Sequence, residues 1–408
     1  MTASNGKAEV RVRRVEGAPV VAVRLWLRAG AREEPIPGQA LLTGRMLSEG
    51  TRRRDWRRIA EEAEGKGMML QSNGAFETIG VAVDALAEDW ELALEWAAEL
   101  LLEPSFPEDR CGWTARQAAA ELESLADQPE VKTAWGFLEQ IYAPNPRSRP
   151  LHGSAESLLS LTPADCAEFH HRARAHGVIA SVAGDISEDA VHRRFLELLD
   201  GPPAGSVRFP EPPRPTGLGA RRIVETDAED QAHLYAGHLS VPRRHPDYAA
   251  LELLAVVLGS GAGLTGRIPA RIREREGLAY TAYAQTASGA GIEPGRLVAY
   301  VGTSPATVEQ AERGVLEEIA RLAEDGITDA ELEEARAYLL GREPFRRETA
   351  RQWADLLIEG LEYGMPLDDP GHRQKELQAL DRAAVEEAAR RHIHPEGLKV
   401  TVGLPQPQ

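Results

Sequence analysis

Hydrophobic and polar residues alternate along two short stretches of the chain, which is the two-residue period of a β-strand. Residues 21–27 place valine or leucine at every second position, and residues 232–236 repeat the alternation with alanine and leucine. Each stretch is followed by a proline-containing break and then by a helical pattern, over residues 39–48 and from Asp247 as the N-cap onwards. The pattern therefore predicts the same strand–helix unit twice.

Two longer helices are predicted at equivalent places in the two halves, because apolar residues recur at helical spacing over residues 87–102 and 305–323. Between the halves, residues 201–216 contain six prolines, which excludes a helix interior and indicates an extended connector. We therefore expect two similar domains, residues 1–200 and 217–408, that arose by duplication of an α+β unit.

The charge of the chain excludes several classes of partner. It carries 47 Lys and Arg against 64 Asp and Glu, a net charge of −17 over 408 residues. Nucleic acids and anionic lipids repel such a polyanion, so neither is an expected partner. No run approaches the ~18 apolar residues of a membrane span, and the first ten residues lack the apolar segment of a secretion signal. We expect a cytoplasmic protein that does not bind membranes.

Common ligand-binding motifs are absent or misplaced. The G-x-G-x-x-G pattern at 261–266 follows a helix rather than a strand, which is the wrong context for a dinucleotide or phosphate site. The histidines at 170–176 and 392–394 are not spaced to converge on a metal, so solvated or capping roles are expected. Cys111 and Cys166 lack C-x-x-C spacing and are expected to be small, partly buried hydrophobes. We expect no metal on this chain.

Residues 38–51 contain the most specific pattern in the sequence. Within it, Leu41, Gly44 and Arg45 share one face of the predicted helix. The segment resembles the first helix of the inverted-zinc-motif metallopeptidases (pitrilysin, insulysin and the mitochondrial processing peptidase), which reads approximately Gly-x-Ala-His-x-x-Glu-His-Met-Leu-x-x-Gly-Thr. The matching positions are Gly38, Ala40, Met46, Leu47, Gly50 and Thr51.

The resemblance continues in the same order along nearly the whole chain. The matching stretches are residues 121–129, 150–169, 182–186, 273–280 and 326–332. Each motif is short, and their order and spacing make the resemblance specific. It implies an α+β fold of two similar domains, each a mainly antiparallel sheet with helices packed on one face.

The sequence departs from this family at the zinc site. The family's first zinc histidine falls on Leu41, its general base on Gly44 and its second histidine on Arg45. Among the family's zinc ligands, only the distal glutamate is matched, by Glu121. The resemblance therefore implies that this chain holds no zinc and hydrolyses nothing by itself. Arg45 is expected to replace the metal by pairing with Glu121, since a buried and unpaired carboxylate is costly.

A second family motif keeps its functional residues. Arg273 and Tyr280 are seven residues apart and lead into a strand pattern at 278–285. In the family, an Arg and a Tyr at this spacing donate hydrogen bonds to the substrate and help to stabilise the oxyanion. The resemblance implies the same substrate-binding role here. The alternative is a helix-terminal arginine with a core tyrosine, and Arg271 and Arg275 are competitors if the register is shifted.

The retained and lost motifs together point to a partner. Some bacterial members of the family divide their function between two chains, of which one carries the zinc helix and the other keeps only the Arg/Tyr pair. The resemblance therefore implies a heterodimer of four similar domains closing on an unfolded peptide, with zinc on a homologous partner chain. Two alternatives remain: a purely structural subunit resembling the core proteins of the respiratory cytochrome complex, and a zinc-independent, peptide-binding homodimer.

Overall fold

The computed structural model describes residues 2–4, 8–199, 219–227, 230–261, 266–366 and 369–405. The connector predicted over 201–216 lies outside the described residues, so the domain boundaries built on it stay a prediction. The chain divides into two compact units, each assembled from three stretches of sequence. The first unit comprises Met1–Glu123, Pro150–Phe209 and Pro344–Asp368, and the second comprises Ser124–Arg149, Pro210–Glu343 and Asp369–Gln408.

Strands and helices of the described residues follow one another in two similar series. The strands are β1 (Thr2–Ser4), β2 (Ala8–Arg14), β3 (Val20–Leu27), β4 (Met69–Gly74), β5 (Ile79–Leu86), β6 (Val178–Gly184), β7 (Arg221–Thr226), β8 (Ala232–Leu239), β9 (Ala279–Ser288), β10 (Arg296–Thr303) and β11 (Lys399–Pro405). The helices are α1 (Gln39–Met46), α2 (Trp56–Gly65), α3 (Trp90–Leu102), α4 (Glu108–Ala126), α5 (Pro129–Tyr142), α6 (Ala155–Ser160), α7 (Pro163–Arg174), α8 (Glu188–Leu198), α9 (Tyr248–Ala255), α10 (Arg267–Pro269), α11 (Val308–Asp325), α12 (Asp329–Arg342), α13 (Ala350–Tyr363), α14 (Pro370–Ala379) and α15 (Arg382–His392). Two π-helical segments, Val256–Ser260 and Ala270–Arg275, continue α9 and α10.

Each unit contains one sheet, and the two sheets have the same topology. The first has the order β1-β2-β6-β3-β5-β4 and the second the order β7-β11-β8-β10-β9. One pair in each sheet is parallel, β2 with β6 and β7 with β11, and the remaining pairs are antiparallel. Apart from the additional edge strand β1, the second sheet repeats the first strand by strand. The predicted α+β fold of two similar, mainly antiparallel domains is confirmed.

The predicted elements lie where the hydrophobic period placed them. Strand β3 covers the alternation at 21–27, α1 covers residues 39–46 of the helix predicted at 39–48, and β8 begins at residue 232. Helix α9 starts directly after Asp247, and α3 and α11 fall within or overlap the two longer helical patterns. Among the described residues, no helix combines the length and the hydropathy that a membrane span requires.

The helical cover of the sheets is more extensive than predicted. On one face of β3, Val21, Val23, Leu25 and Leu27 belong to the core cluster that includes α3 and α8 residues. On the other face, Ala22 belongs to a cluster with Trp353 and Ala354 of α13. In the second unit, Phe137 of α5 belongs to a cluster with Tyr235 of β8 and Tyr300 of β10. Helices therefore cover both faces of each sheet rather than one.

The helix on the second face comes from the other half of the sequence in both units. Helix α13 packs against β2, β3 and β6 of the first unit, and α5 packs against β7, β8 and β11 of the second. A sheet that is apolar on both faces must be covered on both, and the chain achieves this by a reciprocal exchange of equivalent helices. This exchange makes each unit discontinuous in sequence.

Candidate functional site

Helix α1 carries the positions where the zinc motif was expected. It begins after Gly38, whose φ of 87° lies in the left-handed region that favours glycine. The carboxylate of Glu34 accepts hydrogen bonds from the backbone N–H groups of Gly38 (3.0 Å) and Ala40 (2.9 Å). These bonds satisfy donors that a helix start leaves unpaired. The start of α1, and with it the direction of the side chains that follow, is therefore held by a buried carboxylate.

Leu41, at the first zinc-histidine position, is part of the core. Its exposed fraction is 1%, and it belongs to an apolar cluster with Met46 of α1, Phe106, and Ala115 and Ala118 of α4. The space between α1 and α4 is filled here by hydrocarbon. A leucine in such a cluster offers no atom to a metal.

Gly44, at the position of the general base, lies in direct contact with strand β4. A Cβ added to Gly44 would lie 2.5 Å from the carbonyl oxygen of Asn73 and closer still to the backbone nitrogen of Gly74. A Cβ added to Gly74 would in turn collide with the carbonyl of Ala40. The two glycines allow α1 to approach β4 backbone to backbone. No side chain of any kind fits at residue 44 unless the helix or the strand moves.

Arg45, at the second zinc-histidine position, pairs with Glu121 of α4. Arg45 Nη2 lies 2.7 Å from Glu121 Oε2, so the predicted pairing is confirmed. The carboxylate side chain is 46% exposed, which corrects the expectation that its burial would make the partner necessary. Burial by itself would raise the pKa of Glu121, but the hydrogen bond and charge of Arg45, helped by His152, outweigh it and lower the pKa.

His152 is a member of this cluster that the sequence analysis did not identify. Its Nε2 lies 3.5 Å from Glu121 Oε2, and the residue is 9% exposed. The signal was present, because His152 stands within the Pro150–Gly153 stretch that supported the resemblance. The cluster thus contains one carboxylate, one imidazole and one guanidinium. The guanidinium already neutralises the carboxylate, and α1 itself contains no His, Asp or Glu, so the arrangement does not form a catalytic zinc site.

Arg273 and Tyr280 lie together in the second unit. Arg273 belongs to the π-helical segment Ala270–Arg275, and Tyr280 stands near the start of β9, at the end of the sheet. The guanidinium carbon of Arg273 is 5.0 Å from the centroid of the Tyr280 ring, a cation–π contact. Tyr280 is 84% exposed. Neither head group makes a hydrogen bond or an ion pair with a described residue, so both are available as donors.

The neighbouring arginines are used differently. Arg271 is held by three glutamates, and their hydrogen bonds and charges, with that of Glu276 first, raise the pKa of its guanidinium. The distances are 2.7 Å to Glu276, 2.6 Å to Glu317 and 3.2 Å to Glu318. Arg275 is exposed and donates to the backbone oxygen of Ala270 (3.4 Å). Arg273 is therefore the arginine of this segment that contacts Tyr280.

Cys111 and Cys166 are free and fully buried, in the same apolar cluster as Leu41. They are buried more deeply than the partial burial expected for small hydrophobes. The hydrogen bond with Cys111, together with burial, raises the pKa of Cys166 above the usual value of a thiol. A thiol with a raised pKa is a poor nucleophile and a poor metal ligand.

Within the part of the chain that the structure describes, one group of potential metal ligands lies in the second unit. His245, Asp247 and His392 each offer one ligand atom within 4.8 Å of the other two. From the sequence, solvated or capping roles were expected for His392 and His394, and no role was assigned to His245. Residues 245 and 392 are far apart in the chain, so local spacing carried no signal of their proximity.

Comparison with known proteins places these observations in one family. Two family profiles match the sequence, "Insulinase (Peptidase family M16)" over residues 10–154 and "Peptidase M16 inactive domain" over residues 160–339. The chain is 28% identical over 376 residues to the "Uncharacterized zinc protease ML0855" of Mycobacterium leprae, and the aligned region covers 90% of this chain and 82% of the relative. It is 25% identical over 360 residues to the "Non-peptidase homolog YmxG" of Helicobacter pylori, and the aligned region covers 87% of this chain and 82% of the relative. A crystal structure of a peptidase M16 inactive domain from Pseudomonas fluorescens has a TM-score of 0.90 at 25% identity and covers 100% of this chain and 98% of that chain.

Proposed function

The chain belongs to the peptidase M16 family as an inactive member, and on this premise we propose that it is the non-hydrolytic subunit of a two-chain zinc peptidase. A homologous partner chain supplies the zinc and the general base. This chain supplies Arg273 and Tyr280, which bind the peptide substrate next to the zinc of the partner.

The observation that carries this proposal is that Arg273 and Tyr280 contact each other and make no hydrogen bond or ion pair with a described residue. A tyrosine that serves only the core would be buried, whereas Tyr280 is 84% exposed. An arginine that serves only a helix terminus would bond carbonyls or glutamates, as Arg271 and Arg275 do. A guanidinium and a phenol that both lack acceptors among the described residues are suited to donate to peptide carbonyls and to a developing oxyanion.

The geometry around α1 supports the part of the proposal that the isolated chain does not hydrolyse peptides. The general-base position, Gly44, has no room for a side chain beside β4. The two histidine positions hold a buried leucine and an arginine paired with Glu121. Zinc hydrolysis requires a metal with an open coordination position and a base for its water, and this part of the chain supplies neither.

The test is a comparison of the paired subunits with and without the two donors. The chain is co-purified with its zinc-bearing homologue from the native source, and zinc content and peptide cleavage are measured for each chain and for the mixture. We expect zinc and cleavage only when the homologue is present. Arg273→Ala combined with Tyr280→Phe should lower kcat/KM by about 10²-fold or more, the usual cost of losing an oxyanion donor.

Arg275→Ala is the matched control, because it removes an exposed arginine from the same segment without touching the pair. It should leave cleavage within about twofold of the wild type, the range expected of a surface charge away from the site. If the complex that carries Arg273→Ala and Tyr280→Phe cleaves peptides at the wild-type rate, the proposal of a site shared between the two chains is wrong. A stable complex that never cleaves peptides would favour the structural-subunit alternative, and a self-associating chain that binds peptides without any homologue would favour the homodimer.

A further inference from the structure

Three side chains of the second unit bring two imidazoles and a carboxylate together. His245 lies in the loop before α9, Asp247 is the residue immediately before α9, and His392 is the last residue of α15. His392 Nε2 is 2.7 Å from Asp247 Oδ2, and His245 Nδ1 is 3.9 Å from the same oxygen. All three side chains are at least two-thirds buried. The group therefore converges on one point from two elements that are 145 residues apart.

This set of donor atoms is one that zinc and related metals select. Two imidazoles and one carboxylate, with a position left for water, form a common set of zinc ligands. Ligand atoms around a tetrahedral zinc are about 3.3 Å apart, given zinc–nitrogen distances near 2.0 Å. The three atoms here need movements of about 1 Å to reach that geometry, which side-chain rotations supply. We propose that His245, Asp247 and His392 form a site for a divalent transition metal, with Zn²⁺ as the preferred ion.

Asp247 is directed towards this site rather than towards its own helix. An aspartate at an N-cap normally accepts hydrogen bonds from the first helical N–H groups, but the Asp247 side chain makes no capping bond to α9. Its carboxylate contacts His392 and Arg391 instead. The backbone N–H of Asp247 donates to His245 Nδ1 (3.1 Å). This nitrogen therefore carries no proton, as a metal ligand must, and a bound metal would take the place of this hydrogen bond.

Two neighbouring histidines do not belong to the group. His238 is saturated, since its Nδ1 lies 2.7 Å from the carbonyl of Leu239 and its Nε2 accepts from the backbone N–H of His394 (3.1 Å). The His394 side chain is half exposed and lies closest to Glu396, at 3.8 Å. The proposed site therefore has three protein ligands and leaves the fourth position to water.

Arg391 forms an ion pair with the carboxylate of Asp247 in the structure. Its Nη1 lies 2.8 Å from Asp247 Oδ2, and its Nε lies 3.4 Å from Glu387. The side chain is half exposed, so it can release Asp247 and keep Glu387 when a metal binds. The partial negative charge at the C-terminus of α15 favours a cation here, while the partial positive charge at the N-terminus of α9 opposes it, so the preference for a metal rests on the three ligands. A metal bound here joins the end of α15 to the start of α9.

The experiment is a metal titration of the full-length chain. Metal-free protein is prepared with a chelator and titrated with Co²⁺, whose visible absorption reports the coordination geometry, and bound Co²⁺ is then displaced with Zn²⁺. We expect one Co²⁺ per chain and a melting temperature that rises with Zn²⁺ concentration, since a ligand that binds only the folded state stabilises it. His245→Gln and His392→Gln should not bind at concentrations that saturate the wild type.

Three further variants locate the binding. His372→Ala removes an exposed histidine of α14 and should bind Co²⁺ as the wild type does. Glu121→Gln, in the first unit, should also leave binding unchanged. Arg391→Ala keeps all three ligands and removes the competing cation, so it should bind several-fold more tightly, and it tests the site even if a ligand variant is unfolded. The proposal is overturned if the wild type binds neither ion stoichiometrically, or if a folded His245→Gln/His392→Gln variant binds as tightly as the wild type.

Discussion

Replacing Gly44 with alanine is expected to destabilise the first unit, although the same replacement usually stabilises a helix. An ideal Cβ on Gly44 would lie 2.5 Å from the carbonyl oxygen of Asn73 and closer still to Gly74, whereas real Cβ contacts essentially never fall below 3.0 Å. The colliding atoms belong to the backbone of β4. They cannot rotate away as the end of a side chain can, so α1 or β4 must shift as a whole.

The expected magnitude follows from two opposing effects. Overpacking a well-packed site costs about 1–3 kcal/mol, and we take the upper end because several backbone atoms collide at once. Alanine regains up to about 1 kcal/mol over glycine through its higher helix propensity. The expected net loss in the free energy of unfolding is therefore about 2 kcal/mol. Gly65→Ala is the matched control, because a Cβ there meets nothing within 4 Å, and it should gain about 0.5 kcal/mol.

Urea unfolding followed by tryptophan fluorescence measures both variants. Six of the seven tryptophans lie in the first unit, so the signal reports mainly on the unit that contains α1 and β4. The two alanine substitutions should change the free energy of unfolding in opposite directions. A Gly44→Ala protein that is as stable as the wild type would refute the close approach of helix and strand.

The same contact predicts that the zinc motif cannot be restored by substitution alone. Leu41→His, Gly44→Glu and Arg45→His together would recreate the family pattern, but a glutamate at residue 44 meets the same backbone atoms of β4. The triple variant should be less stable than the double variant that keeps Gly44, and it should show no zinc-dependent peptide cleavage. Cleavage by a triple variant of wild-type stability would contradict this account.

Three other substitutions test the electrostatics of the first unit. Burial, reinforced by neighbouring carboxylates, raises the pKa of Glu362 to about 8, so its contribution to stability is complete below about pH 4.5 and is lost as the pH rises through 8. Glu362→Gln should therefore be more stable than the wild type at pH 8 by up to a few kcal/mol, and equal to it near pH 4, whereas exposed Glu348→Gln should follow the wild-type pH profile. Arg24 is 6% exposed and pairs with two aspartates, so Arg24→Met should cost about 3 kcal/mol in urea unfolding, and exposed Arg52→Met should cost almost nothing. Arg45→Met should cost less than about 1 kcal/mol because its ion pair is half exposed, and this loss, present at neutral pH, should disappear at acid pH as the depressed carboxyl of its partner is protonated.

Local sequence pattern was sufficient to predict the secondary-structure elements. The alternation at 21–27 and the helical spacing at 39–48 were read correctly, because the period of apolar residues reports directly which face of an element is buried. Leu41, Gly44 and Arg45 exclude a zinc helix by their chemical identity, whatever their surroundings. The sequence pattern did not explain why residue 44 is a glycine. The explanation is the contact of Gly44 with β4, which depends on how closely the helix and the strand approach each other.

The sequence also indicated which residues could interact, and the tertiary structure decided their contacts. Arg45 pairs with Glu121 as expected, but that carboxylate is half exposed rather than buried. Three arginines were candidates for the contact with Tyr280, and the fold selected Arg273 by giving Arg271 to glutamates and Arg275 to the backbone. The choice among the three arginines was thus set by the glutamates of α11 and by the π-helical turn, which no spacing in the sequence encodes.

Only the tertiary structure decided the exchange of α5 and α13 between the two units and the grouping of His245 and Asp247 with His392. Period and composition describe how a residue relates to its neighbours in the chain, over a few turns at most. Which distant segments meet depends on the strand order of the whole sheet and on which helix covers its second face. The sequence by itself therefore determined two similar domains without a catalytic zinc helix, and the folded chain determined which side chains those domains bring together.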